Sequence, residues 1–486
     1  MSQLNENLNL KSRYELVIGG ETKSTNQYQT VINPFDLSTV GEVAMATLDD
    51  LEAAVDAAEN AFKSWASLSD EKRRSYCRQV AEIFTNNAEE LAHIITLEQG
   101  KPLDAGGFGS RFEVGGCAGW AQATAEISLP DKTLIESEEL LVKQISKPIG
   151  VVGSITPWNW PVLIAVWHIL PAIRTGNTVV IKPSPHTPLS TARAVELLQE
   201  VLPSGVVNFV SGDAEIGSAM SKHPRIRKIT FTGSTETGKQ IMQDASLSMK
   251  RLTLELGGND PAIILPGTPA EPFLPGLFIG SFINAGQTCG AIKRLYVHES
   301  DYEQFCVQLA EFIGGQQAGN GLDPKSAIGP IQNKPQWEKV IRLRDNALSQ
   351  GAELLTGGER VGDGYCLTPA VLKGATQDME VVGLEQFGPV LPIVKYSDVS
   401  ESVSLANDSP YGLCASVWGT NPEELQQVSK QLEAGLVYVN THAELNPMVP
   451  FAGHKSSGFG VQFGPEGLAS YTETAVIYQR LAPPSS

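Results

Sequence analysis

KITFTGSTETGKQ, residues 228–240, joins a short apolar run to a glycine-bracketed turn and the start of a helix. Gly233, Gly238 and Lys239 have the spacing of a phosphate loop, G-x-x-x-x-G-K, which demands Ser or Thr next because that hydroxyl ligates Mg²⁺. Here the next residue is Gln240. A plain strand-to-helix turn reads the same letters as well. In either case the glycines let backbone N–H groups approach a phosphate at a helix N-terminus, and a triphosphate and a dinucleotide fit equally. The neighbours of the stretch must decide.

Those neighbours are further apolar runs: IGVVGSI (149–155), TVVIK (178–182), VVNFV (206–210) and PAIIL (261–265). Helical candidates at 161–173 and 190–201 lie between them. Continuous β-branched runs alternating with helices predict βαβ units, a parallel sheet buried on both faces and a Rossmann-like α/β domain. Ligands are then expected at the carboxyl ends of the strands, where Gly233 sits. Upstream, Leu51, Val55, Ala58, Phe62 and Trp65 share one helix face, and Ser69-Asp70 marks the start of a second helix. Downstream, RLYVHES, AELLTG, AVLKGA and VLPIVKY, with a helix at 301–313, predict a second α/β domain.

The chain has 486 residues and a formal net charge of −18. That length predicts two or three domains, and the acidity disfavours nucleic acid or an anionic membrane as partner. No secretory signal is expected, because MSQLNENLNLKSRY (1–14) lacks an apolar run, and 272–292 is too interrupted to span a membrane. The expected compartment is the cytoplasm. The six cysteines are scattered, with no C-x-x-C pair, so neither a zinc site nor a disulfide scaffold is expected, and no metal is assigned. The tail LAPPSS (481–486) reads as loose.

One cysteine stands apart. Cys289, in FINAGQTCGAIKR (282–294), follows a turn-prone Ala-Gly-Gln and has small neighbours that leave a thiol reachable. A free thiol, with pKa about 8.5, needs a base or a positive field to become a nucleophile. Glu255 ends the run LTLEL beside Gly257-Gly258, and taken alone it is also an ordinary solvated acid. Asn159, in TPWNWP (156–161), sits where the first strand ends. Its amide serves a turn or stabilises an oxyanion, the latter contributing about 3–4 kcal/mol when well aimed.

The set TPWNWP, VVIKPS, FTGSTETG, LELGG, GQTC, EQFGP and PFAGHKSSGFG, in this order, resembles the aldehyde dehydrogenase superfamily from about residue 15 to 480. The variants KPSPHTPL and EQFGPVLP look most like those of bacterial members. The resemblance implies oxidation of an aldehyde to a carboxylic acid with NAD or NADP. Cys289 matches the nucleophile that forms a thiohemiacetal, and Asn159 with the Cys289 N–H matches the oxyanion hole. Hydride then passes to nicotinamide, and Glu255 matches the base whose water hydrolyses the thioester. Thr156, Pro157, Trp158, Lys182, Ser184, Gly233, Ser234, Gly257, Glu385 and Phe387 match cofactor-binding positions, with Lys182 also placed in the essential set. Gly238 would aid helix packing, and Lys239 need not touch a phosphate.

A departure bears on the cofactor. NAD-specific members often carry Glu three residues after the lysine, where this chain has Pro185, so NADP is permitted. Positions matching the substrate tunnel are Trp160, Leu163, Ile164, Trp167, Ile283, Thr288, His442 and Met448. They are mostly apolar, with no Arg for a second carboxylate, which implies an apolar or aromatic aldehyde. His442 and Glu444 would add polar contacts at the mouth. The expected domains are a cofactor domain (1–125 and 148–257), a catalytic domain (258–445) and a bridging segment (126–147 and 468–486), the last implying a homodimer or homotetramer. Three rivals remain: a P-loop enzyme, opposed by Gln240; a CoA-acylating relative, opposed by Glu255; and a silent scaffold, opposed by the intact Cys289, Glu255, Asn159 and Lys182.

Overall fold

The computed structural model of the protein describes residues 10–481, so most of the LAPPSS tail and the end of the expected bridging segment lie outside the described residues. Four of the apolar runs are neighbouring parallel strands: Val151–Ile155, Thr178–Lys182, Val207–Phe209 and Ile226–Thr232. Arg251–Glu255 adds a fifth. Nearly all their residues are buried, which is why the runs show no polar alternation.

Strand order creates the site. From Val151–Ile155 the chain moves one way to Thr178–Lys182 and Val207–Phe209, then returns to place Ile226–Thr232 on the other side of the starting strand. This reversal opens a crevice at the carboxyl ends of Val151–Ile155 and Ile226–Thr232. Residues 156–160 and 233–234 leave those two ends directly. The sheet reaches eight strands through short antiparallel additions: Leu16–Ile18 and Glu21–Lys23 at one edge, Gly458–Phe459 at the other.

The PAIIL run lies beyond the Gly257-Gly258 turn, as Asp260–Ile264 in a second sheet. Its seven strands run Glu353–Thr356, Ala370–Ala375, Val390–Tyr396, Ile292–His298, Asp260–Ile264, Cys414–Trp418 and Leu436–Val439, parallel except at the first pair. A third sheet is antiparallel, Lys132–Glu136 with Leu140–Pro148 and Thr472–Arg480, and it exposes Leu134, Ile135, Val476 and Ile477. No helix among the described residues is long and apolar enough to cross a membrane.

The helices follow their sequence signals. Leu48–Ala66 opens with a reciprocal Thr47–Asp50 capping box and buries Leu51, Val55, Ala58 and Trp65. Pro161–Arg174, which supplies much of the active-site wall, is apolar almost all round and starts on Pro161. No residue of its own caps it. Instead Glu113, from the helix Ser110–Glu126, accepts from Val162 N at 3.0 Å and Leu163 N at 3.1 Å. The other Glu113 oxygen pairs with the Lys101 ammonium, which is fully buried and lies 3.3 Å from the Trp160 ring centroid.

Removing Glu113 leaves a buried cation unpaired and two helix-start amides without acceptors. Glu113→Ala is expected to cost about 3–5 kcal/mol in urea unfolding, the range for breaking a buried pair. A loss below about 1 kcal/mol would mean that this carboxylate does not anchor the helix.

Candidate active site

Cys289 sits at the end of a strained turn. Asn284, Ala285 and Gly286 have φ of 52°, 56° and 72°, a left-handed run that costs roughly 1–2 kcal/mol for each of the two non-glycine residues. Gly286 has no alternative, since a Cβ there would lie 2.5 Å from the Gly388 carbonyl oxygen. The turn is held from within: Gln287 Nε2 donates to Asn284 O at 2.9 Å, and Asn284 Nδ2 donates to Asn159 O at 2.8 Å. Trp160 Nε1 donates to Thr288 Oγ1 at 3.0 Å, tying the turn to the helix start that Glu113 caps.

Asn159 Nδ2 donates to Gln287 O at 2.9 Å. An amide nitrogen has two hydrogens, so one is left for another acceptor. The Cys289 N–H makes no backbone hydrogen bond among the described residues. Glu255 ends the strand Arg251–Glu255, and neither of its carboxylate oxygens has a partner among the described residues. Burial therefore pushes its pKa well above the usual carboxylate range. The same burial pushes the Cys289 thiol up to about 12, opposed by the positive charge of Lys293 and reinforced by Asp260, Glu255 and Glu385.

Two hollows meet at this thiol. One, of about 100 Å³, is walled by Trp160, Leu163, Ile164, Trp167, Ile283 and Thr288, with further aromatic residues. The other, a groove of about 190 Å³, is walled by Pro157, Trp158, Gly233, Ser234, Glu385 and Phe387. Among the described residues, Cys289 is the one on both walls.

The model of the aldehyde dehydrogenase family matches residues 21–477. The chain belongs to the aldehyde dehydrogenase family. It is 36% identical over 465 residues to an aldehyde dehydrogenase from a Fusarium species, covering 95% of this chain and 98% of that one. It is also 36% identical over 485 residues to the phenylacetaldehyde dehydrogenase of Pseudomonas fluorescens, covering 96% and 95%. Among solved structures, betaine aldehyde dehydrogenase from Staphylococcus aureus in complex with NAD⁺ superposes with a TM-score of 0.93 at 32% identity, over 99% of this chain and 97% of that one.

In this aldehyde dehydrogenase the opening stretch is not a phosphate loop. Lys239 pairs outward with Glu236 at 2.9 Å, and Gln240 Nε2 donates to Asp244 at 3.0 Å. Gly238 does serve packing, since a Cβ there would lie 2.5 Å from Leu256. Gly257 has a similar constraint, 2.9 Å from Glu385 Oε2. Thr156 and Lys182 flank the groove rather than line it. Thr156 N donates to Lys182 O at 3.1 Å, and the Lys182 ammonium donates only to Pro183 O, at 3.2 Å. Burial pulls the Lys182 pKa down to about 8, against the opposing charge of Asp213. Ser184 Oγ accepts from His186 N at 3.3 Å, and the Pro185 carbonyl accepts from Gln29 Nε2 at 2.7 Å.

Two residues expected in the substrate tunnel, His442 and Met448, are not on the wall of the 100 Å³ cavity. His442 is turned into the second domain, with Nε2 3.6 Å from Asp260 Oδ2, and Met448 is half exposed on a surface loop. Glu444 also faces solvent, accepting from Thr441 Oγ1 at 2.5 Å. Their places are taken by Tyr438, Leu445 and Phe451 from the same segment, and by Phe112 and Trp120 from the helix Ser110–Glu126. No site residue is expected on that helix from the sequence, although Phe112, Gly116 and Trp120 recur at steps of four, which brings them to one face.

With the thiol held protonated, alkylation of Cys289 by iodoacetamide in the cofactor-free enzyme is expected to rise about tenfold per pH unit from pH 7 to 9.5. A plateau near pH 8, measured by mass spectrometry of the labelled peptide, would show instead that the resting thiol is already ionised.

Proposed function

We propose that the enzyme oxidises an uncharged apolar or aromatic aldehyde to the carboxylic acid, with NAD⁺ or NADP⁺, through Cys289. The observation that carries this reading is the shared wall. A group that must bond the substrate carbon while that carbon faces a hydride acceptor has to border both hollows, and Cys289 alone does.

The Cys289 thiol gives its proton to water and the sulfur bonds the aldehyde carbon as the carbonyl π pair moves to oxygen, which the spare hydrogen of Asn159 Nδ2 and the Cys289 N–H receive; departure of the carbon's hydride then leaves the thioester. Glu255, neutral while dry, releases its proton to entering water once that water solvates the carboxylate, and the carboxylate then takes a proton from the attacking water. That water adds to the thioester, the carbon–sulfur bond breaks, and the thiol returns with the acid released. The family is NAD(P)-dependent, and the nicotinamide supplies the hydride acceptor when bound. The residues present fit a dinucleotide. Ser234 caps the helix Thr235–Ser246 through Thr237 N, leaving the first amides open at its positive end for a pyrophosphate. Thr156 Oγ1 is buried without a partner beside the crevice, and Glu385 and Phe387 border the thiol end of the groove. Pro185 itself contributes no carboxylate beside the Lys182 ammonium, which leaves Asp213 as the acid acting on that lysine.

No charged side chain lines the 100 Å³ cavity, which supports a neutral substrate, and the aromatic walls together with the phenylacetaldehyde-oxidising relative support an aromatic one. The test is nicotinamide reduction across aromatic, long aliphatic, betaine and acidic aldehydes, with NAD⁺ and NADP⁺ side by side and no CoA. Neutral aromatic aldehydes are expected to give the highest kcat/KM, and acidic ones the lowest. Cys289→Ala should abolish turnover. Glu255→Gln should keep a first burst of reduced cofactor while steady turnover falls by about 100-fold or more. Preference for an acidic aldehyde would refute the substrate reading, and turnover by Cys289→Ala would refute the chemistry.

We also read the third sheet, with its exposed Leu134, Ile135, Val476 and Ile477, as a contact between copies in a cytoplasmic homodimer or homotetramer. The free state of all six cysteines supports a reducing compartment. A monomeric mass by light scattering would sink the oligomer.

A further inference from the structure

Lys293 has no part in the chemistry above, yet the turn carrying the thiol is folded around it. It lies buried near the start of the strand Ile292–His298 and its side chain doubles back. Its Nζ lies 3.0 Å from Thr288 O, 2.7 Å from Cys289 O and 3.2 Å from Ala291 O. Three N–H donors meet three carbonyl acceptors, so the ammonium is satisfied by backbone alone. The facing carboxylate, Glu385 Oε1, stands off at 3.9 Å and is itself held by Gly258 N at 3.0 Å. Gln386 Nε2 fixes the Lys293 carbonyl at 3.0 Å, so the strand beneath the lysine is pinned too.

The geometry of the peptide unit turns this into a statement about the reaction. In a trans peptide the C=O and N–H occupy opposite edges of one rigid plane. The plane that offers its oxygen to Lys293 at Thr288 is the plane whose hydrogen belongs to Cys289. Whatever grips that carbonyl aims that N–H. The next plane, from Cys289 O, is gripped by the same ammonium, so the Cys289 Cα between them has little freedom left. We propose that Lys293 is a positioning residue for the oxyanion site: by holding the Thr288 and Cys289 carbonyls it aims the Cys289 N–H at the substrate oxygen and seats the thiol between cavity and groove. This rests on the reading of Cys289 as nucleophile.

Electrostatics points the same way. The ionisable groups that act on the thiol include Lys293, which favours the thiolate, and Asp260, Glu255 and Glu385, which oppose it; Glu255 is neutral while dry, and Lys339 stands on the groove wall beside Glu385. Without Lys293, thiolate and oxyanion lose the positive charge that the turn itself carries.

The test uses the full-length enzyme with saturating cofactor. Lys293→Met keeps the length and removes all three donors. It is expected to lower kcat by about 100-fold, the scale of a lost or misaimed oxyanion donor. Aldehyde KM and cofactor Kd should stay within about threefold, and alkylation of Cys289 should slow by about tenfold at each pH from 7 to 9.5. Lys293→Arg, which restores charge and donors, should recover at least tenfold of the lost kcat. Cys289→Ala is run beside them. A dead Cys289→Ala with Lys293→Met at wild-type kcat and alkylation rate overturns the role of Lys293 and leaves the nucleophile standing. Turnover by Cys289→Ala overturns the nucleophile itself. If Lys293→Met gives no cooperative melting transition, Lys293→Arg and Lys293→Gln decide: unchanged kcat in Lys293→Gln overturns the proposal, and a loss in Gln that Arg reverses supports it.

Discussion

Gln287 is buried between the two large sheets with its side-chain donor and acceptor both engaged. Nε2 donates to Asn284 O and to Pro330 O, while Oε1 accepts from Gln332 N at 2.8 Å. Its carbonyl collects the amides of Asn159 and Asn284. The side chain joins the strained turn of the second domain to the segment at 330–332, and the carbonyl joins it to the loop that follows the first strand of the other sheet. Left-handed backbone at Asn284 and Ala285 is unfavourable in isolation, and these bonds offset it. The thiol two residues later stands where it does because that cross-link holds.

From this follows an unusual resting electrostatics. The carboxylate of Glu255 and the thiol of Cys289 are both driven toward their neutral forms by burial, and the walls of the 100 Å³ cavity add no charge. A dry, neutral centre strengthens every dipole later aimed at developing charge, since little water competes for it. It also places the burden of activation on what enters: substrate, cofactor and water each change the dielectric around the two acids.

Much of this was legible in the sequence because the physics was local. Runs such as TVVIK announce a strand buried on both faces, and Thr178–Lys182 is that strand residue for residue. The motifs around Asn159, Glu255 and Cys289 put rare chemistry at strand ends. Strands of two or three residues, such as Leu16–Ile18 and Gly458–Phe459, carry no period and were invisible. His442 and Met448 failed because an irregular loop has no repeat from which to tell wall from exterior. Lys293 was overlooked for a different reason: its partners are backbone carbonyls, which every residue possesses and no letter records. A lysine second in the run IKRLYVH was the available sign, since a charge is seldom buried without dedicated acceptors.

The short strand Gly458–Phe459 has a mechanical consequence. The chain leaves the first sheet after Glu255, builds the whole second sheet, and comes back to lie antiparallel beside the very strand it left. Leu256 N donates to Ser457 O at 2.8 Å, so the outgoing and returning segments are buttoned together where they cross. Two halves joined by a single strand are held at one point, whereas two fastened at adjacent crossings are held along a line. That line passes Gly257, so the groove wall there is tied to the first sheet by both segments.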